Sequence, residues 1–261
     1  MSPSRMMTFS PSSLAELRAA VRTIEQNGRA DGRGAVPFGL DAVDGRLAGG
    51  GLAMAALHEA AAASEAPGDM AAATLFVAAI AARFSRNEGD GQVLWALTGP
   101  GLFAPGLAGA GLTGDRVFFA ACRDDAEALA AMEDALRHGG LAAVVGEISR
   151  IDQASLRRLQ LAAEDGGSAA LLLRRWHRRG GDPLAAPSSA VTRWRIGCAP
   201  SAVLPYPGIG RARWHVDLVR QRGGPPFHWL LEAPDGEARL ALPAGPRDRA
   251  DPAGRADRLA A

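Results

Sequence analysis

The sequence lacks lysine altogether: its 29 Lys/Arg positions, in 261 residues, are all arginine. A G+C-rich genome favours arginine and alanine codons, and that bias accounts for the composition as a whole. Codon bias does not build a binding site, however. A phosphate-binding P-loop needs a lysine to reach the β- and γ-phosphates, so its absence excludes an ordinary P-loop nucleotide hydrolase. Cysteine is scarce as well. Cys122 and Cys198 are the only two, far apart and without CxxC spacing, which excludes a disulfide framework or a zinc site and fits thiols in a reducing cytosol. Met1–Ser13 has no apolar stretch of the kind a secretory signal requires. The apolar run Leu75–Ala82 is closed by Arg83 and Arg86 well short of a membrane span. The expectation is a soluble cytoplasmic protein with no membrane partner.

A chain of this length with 48% apolar residues can bury one large core, with or without a small appendage. The net charge of +1 hides an asymmetry. Residues 1–149 hold 11 arginines against 17 acids, a balance of −6; residues 150–222 hold 13 arginines against 5 acids, a balance of +8. Such a basic second half fits either an anionic partner or a solvated face.

Ser12–Asn27 reads as an amphipathic helix with Leu14, Leu17, Val21 and Ile24 on one face, a candidate interface. Asn27–Ala35 has the glycine and charge content of a linker, so residues 1–35 form an N-terminal helix and linker. From 36 to 242 short apolar strands alternate with helices, the pattern of a parallel α/β sheet. Strands are predicted over 55–61, 92–98, 117–123, 142–148 and 169–176. Helices are predicted over 69–85, 103–109, 124–138 and 152–165, with Asp124 and Asp152 as N-caps and Gly139 and Gly166 as terminators. The segments 190–196, 212–221 and 227–232 alternate polar and apolar residues, as antiparallel strands extending the sheet do. Residues 243–261 contain a single leucine and too little apolar surface to fold alone, so a disordered tail is expected.

Pro37-Phe38-Gly39-Leu40-Asp41 followed by Gly49-Gly50-Gly51-Leu52-Ala53-Met54 resembles the start of the RecA core. Phe103–Leu112, Asp124–Gly140 and Leu141–Ile148 resemble its later segments in order and spacing. A closer resemblance is to the ImuA family, the RecA-like accessory proteins of bacterial mutagenesis cassettes. It is carried by Gly50-Gly51-Leu52 with Leu57-His58-Glu59, by Arg123-Asp124-Asp125 running into Met132-Glu133-Asp134-Ala135-Leu136-Arg137, and by Ala143-Val144-Val145-Gly146-Glu147. Arg157-Arg158-Leu159-Gln160-Leu161-Ala162, Thr192-Arg193-Trp194-Arg195 and Arg222-Gly223-Gly224 complete it. The resemblance spans about three-quarters of the chain. It implies an α/β RecA-like core with a mostly parallel sheet. It also implies a role in SOS translesion synthesis beside an ImuB-like inactive Y-family polymerase relative, an error-prone C-family DNA polymerase and RecA.

Set against a working RecA-type site, three parts are altered. With Gly68 as the last P-loop glycine, Ala63 replaces the first, Asp69 falls at the lysine position and Met70 at the Ser/Thr position. An aspartate repels a triphosphate and a thioether does not take a hard cation; Asp69 is read instead as a cap on its own helix. At the end of the Walker-B strand, Glu147 is either a displaced Mg²⁺-ordering carboxylate or a solvent-facing one. The second strand ends Thr98-Gly99-Pro100, where a catalytic glutamate is expected. Such a chain is a scaffold with no cofactor and no enzymatic activity.

His58 and Glu59 have no second histidine nearby in sequence and are read as structural or interface residues. In Arg174-Arg175-Trp176-His177-Arg178-Arg179 the arginines can meet phosphates and Trp176 a base of single-stranded DNA. The alternative is a solvated loop whose tryptophan packs back on the sheet. Trp194, Trp214 and Trp229 fit core or interface positions. Two other functions stay open at this point: a SulA-like inhibitor of cell division, and a DNA-dependent ATPase of the recombinase class.

Overall fold

Each parallel strand pair needs a crossover to bring the chain back to the same end of the sheet, and the helical segments between the apolar strands supply it. The computed structural model describes residues 34–243 apart from 90, 178–180, 202–203 and 205–207. A two-stranded ribbon, β1 (Ala35–Val36) with β2 (Leu52–Ala53), brackets the short helix α1 (Asp41–Asp44). The main sheet comprises β3 (Leu57–Ala62), β4 (Val93–Leu97), β5 (Val117–Ala121), β6 (Ala143–Ile148), β7 (Ala169–Arg174), β8 (Thr192–Ala199), β9 (Arg213–Gln221) and β10 (Phe227–Glu232). Its order is β10-β9-β8-β3-β7-β6-β4-β5. β8, β3, β7, β6, β4 and β5 run parallel, while β9 and β10 are antiparallel additions. The crossovers are α2 (Pro67–Asn87), α3 (Ala104–Gly109), α4 (Asp125–His138) and α5 (Gln153–Gly166). This is the RecA-like α/β architecture that the resemblance implied.

The sheet is coated on both faces, which explains why β3, β6 and β7 are buried along their whole length. On one face α2 packs with Phe38, Trp95, Trp194, Trp214 and Trp229, so the three C-terminal tryptophans belong to the core. Trp194 is fully buried and meets Phe38, Phe76 and Trp229 with ring centroids 5.5–6.2 Å apart, distances typical of favourable aromatic contacts. On the other face α4 and α5 cover Leu57, Val144, Ala170 and Leu172. By length and composition α2 is apolar enough to cross a membrane, but 61% of its most apolar window is buried within the fold. Its composition is that of a helix lying over a sheet.

Both expected N-caps form: Asp124 accepts a hydrogen bond from Glu127 N (2.9 Å) and Asp152 from Ser155 N (2.7 Å). The terminator of α5 is Gly167, in the left-handed region at φ 74°, and not Gly166. Gly166 is a glycine for another reason. A Cβ there would lie 1.7 Å from the carbonyl oxygen of Leu136, where the ends of α4 and α5 abut. Element ends otherwise shift by up to a few residues, and Ala35, assigned to the linker, is a strand residue. The predicted helix over 12–27, with Leu14, Leu17, Val21 and Ile24, lies outside the described residues, as does the tail beyond Pro243.

Candidate functional site

In an open parallel sheet, ligands bind beyond the carboxyl ends of the strands, where successive crossovers leave in opposite directions. Here that point is β3: the chain first moves toward β4 and β5, then returns and adds β8 on the other side. The carboxyl ends of β3, β6, β7 and β8 therefore frame the candidate site. They bring together Ala63, Asp69, Glu147, Arg175, Trp176 and Cys198.

The turn after β3 spans 63–66, and α2 begins at Pro67. Proline suits the first helical position but has no N–H, so one donor that would face an anion is missing. Asp69 does not cap α2, contrary to expectation; the cap position is Ala66 and carries no side-chain bond. Instead Asp69 Oδ1 accepts from Cys198 N (2.7 Å) and Oδ2 from Ser64 Oγ (2.6 Å), tying the turn to the end of β8. Close packing seals this junction. A Cβ on Gly197 would come within 3.0 Å of the Ala63 Cβ, and one on Gly68 within 3.3 Å of the Cys198 sulfur. Partial burial, together with the Asp69 charge and hydrogen bond, holds the Cys198 thiol above its ordinary pKa. Met70 packs against the α2-side core.

Glu147 corrects the reading of a solvent-facing carboxylate, because it is buried. Its Oε1 accepts from Trp95 Nε1 (2.9 Å), and its Oε2 accepts from Nε and Nη2 of Arg175 (3.0 and 2.7 Å). Arg175 Nη1 also donates to Thr74 Oγ1 of α2 at 3.1 Å. Both carboxylate oxygens are thus engaged, and an arginine stands where a cation would approach.

The arginine cluster after β7 is resolved by strand alternation, since successive side chains leave on opposite faces. Arg174 turns to the α5 face and is buried, with Nη1 3.0 Å from Glu59 Oε1. Arg175 turns to the α2 face and meets Glu147. Trp176 donates from Nε1 to the carbonyl of Ala62 (3.0 Å) and packs on the core, so its ring closes the end of β3 and is no stacking platform for a base. The polar groups of Arg174, Arg175 and Trp176 have partners inside the fold, and the tryptophan packs back on the sheet, the alternative the sequence left open. Arg178 and Arg179 lie outside the described residues. Other arginines of residues 150–222 are paired in the same way. Arg193 pairs with Glu59, Arg195 with Asp182, and Arg211 and Arg213 with Glu232.

Glu59 and His58 are deeper than the sequence suggested. Glu59 is fully buried and also receives Arg193 Nε at 2.7 Å, which makes a buried Arg174–Glu59–Arg193 triad across β7, β3 and β8. His58 points the other way. Trp194 Nε1 donates to Thr192 Oγ1 (2.8 Å), whose hydroxyl donates to His58 Nδ1 (2.7 Å), and His58 Nε2 donates to the carbonyl of Ala53 (2.8 Å). This chain is complete only for a neutral imidazole, and burial holds the His58 pKa down to about 4. Sequence reasoning marked the His58–Glu59 pair but missed Ser64, Thr74 and Trp95. Thr74 and Trp95 meet their partners only once the sheet is assembled, whereas Ser64 bonds Asp69 within the same turn.

A cavity of about 750 Å³ does exist, but at the opposite, amino-terminal ends of the strands, between Gly49, Ala55, Gln160, Thr192 and Arg222. Among the described residues no cluster of three or more His, Cys, Asp or Glu side chains has metal-binding geometry. No protein-family model matches the chain. The chain is 41% identical over 201 residues to Protein ImuA of Caulobacter vibrioides, in strain NA1000 / CB15N and equally in strain ATCC 19089 / CIP 103742 / CB 15. The aligned region covers 75% of this chain and 82% of the relative. At that identity and coverage, on a mostly parallel sheet flanked by helices, the chain belongs to the ImuA family.

Proposed function

We propose that this protein is a non-catalytic RecA-like adaptor of damage-induced translesion synthesis. In this reading it joins an ImuB-like protein, an error-prone C-family DNA polymerase and RecA, in the cytoplasm. One observation carries the non-catalytic part. The groups that would handle a nucleoside triphosphate are bonded to each other: Asp69 to Ser64 and the β8 backbone, Glu147 to Trp95 and Arg175, Trp176 to Ala62. A triphosphate with Mg²⁺ does not fit these residues. A carboxylate stands at the phosphate-binding position, a proline removes an N–H, and a thioether replaces the hydroxyl. Family membership supports the rest, since the ImuA resemblance implies these partners. The reading gives no DNA contact to Arg174, Arg175 or Trp176.

The experiment is affinity capture of the tagged full chain co-expressed with an ImuB-like protein and the C-family polymerase, with and without ATP and Mg²⁺. The ImuB-like protein is expected to be retained equally in both conditions. Retention only with nucleotide would contradict the adaptor reading, and selective capture of the tubulin-like division protein would replace it with an inhibitor of cell division.

A further inference from the structure

The main sheet has two edges: β10, which meets the chain again at an isolated bridge between Glu232 and Ala241, and β5, which pairs with β4 on one side only. Edge strands present unpaired N–H and C=O groups and are ordinarily blunted by charge, proline or covering elements. Val117–Ala121 carries neither charge nor proline, and two of its side chains, Phe118 and Phe119, are 58% and 45% exposed. They leave the strand on opposite faces. Phe119 shares a face with Val117, which belongs to the α2-side core; Phe118 shares one with Ala120, which packs on the α4/α5 side. An added strand would therefore extend both apolar layers at once.

From the flanking charges we infer that this edge pairs antiparallel with β5 of a second copy of the same chain, about a two-fold axis at Phe119. In that register Phe119 faces Phe119 of the partner subunit, and Phe118 faces the partner subunit's Ala120. Asp115 faces the partner subunit's Arg123 at both ends. Asp115 and Arg123 have side chains 76% and 86% exposed, and their present contacts, to Arg116 and Glu127, are solvated ion pairs of the kind easily exchanged. Sliding the register by one residue sets Arg116 against the partner's Arg123 and Asp115 against the partner's Asp124, two like-charge oppositions. Centring it on Ala120 loses the Phe–Phe pair and draws on Asp124, whose carboxylate already caps α4. The sequence Asp115-Arg116-Val117-Phe118-Phe119-Ala120-Ala121-Cys122-Arg123 is thus charge-complementary to itself in the Phe119-centred register. The result is an isologous dimer with one continuous sheet. This inference stands apart from the functional reading above.

Sedimentation of the full-length protein tests it. The wild type is expected to show a concentration-dependent dimer, and Phe119→Asp to run as a monomer whose far-UV circular dichroism matches the wild type, because the side chain is exposed on the single chain. Asp115→Arg and Arg123→Asp should each weaken the dimer, and the double variant D115R/R123D should recover it by exchanging the partners. A wild type that stays monomeric up to its solubility limit would overturn the inference. So would a dimer that survives Phe119→Asp, or a double variant as weak as the singles.

Discussion

Replacing Glu59 with alanine is expected to cost about 3–5 kcal/mol of folding stability, the penalty for removing one member of a buried ion pair and leaving the other charge uncompensated. Here two arginines are left, since Arg174 and Arg193 both depend on the same carboxylate and are themselves 7% and 6% exposed. Neither is fully satisfied even with Glu59 in place: Arg174 Nε and Arg193 Nη2 have no hydrogen-bond partner. At roughly 2–4 °C per kcal/mol for a domain of this size, the Tm should fall by about 6–20 °C. Replacing all three residues with apolar side chains of similar volume should restore much of the loss, because a buried ion pair is weak evidence for net stability even though breaking one is costly. Thermal denaturation followed by circular dichroism reads both results. A Glu59→Ala protein melting within about 2 °C of wild type would show that the triad is not buried as described.

His58 is expected to make stability fall with acidity in a defined window. Its pKa is near 6.5 in the unfolded chain and about 4 in the folded one, so between those values the unfolded state binds the proton and the folded state does not. The contribution is therefore complete above pH 6.5 and is lost as the pH falls toward 4. The full span is about 3 kcal/mol, taking 1.36 kcal/mol per pH unit. Denaturant unfolding of wild type and His58→Gln at a series of pH values isolates the effect, since the carboxylates titrate in both proteins. The difference between the two proteins should narrow by about that amount from pH 6.5 to pH 4. A constant difference would mean that the imidazole is solvated.

The fold was legible in the sequence because its signals are local. Apolar runs bounded by glycine and capping aspartates placed the strands and helices, and the caps at Asp124 and Asp152 form as expected. The absent lysine, Asp69 and Met70 were visible for the same reason, in one dimension. What took their place was not. Arg174 and Arg175 read as a basic patch because adjacent residues in sequence look like neighbours in space, yet the pleat sends them to opposite faces and to different acids. Glu147 read as a strand-end carboxylate because its partners, Trp95 and Arg175, reach it only once β4, β6 and β7 lie side by side. The aspartate at position 69 was read as a cap because helix starts favour acids, but a β8 backbone N–H 129 positions away competes successfully for it.

The adaptor proposal rests above all on one idea: the crevice that holds nucleotide in a working RecA-type core is filled here by the protein itself. Calorimetric titration of the full-length protein with ATP in the presence of Mg²⁺ tests it most directly. The account predicts heats no larger than those of dilution, and the same for Asp69→Lys, since Arg175 still occupies Glu147 and Met70 still replaces the hydroxyl. Saturable binding of one ATP per chain by the wild type, abolished by Glu147→Gln, would contradict it.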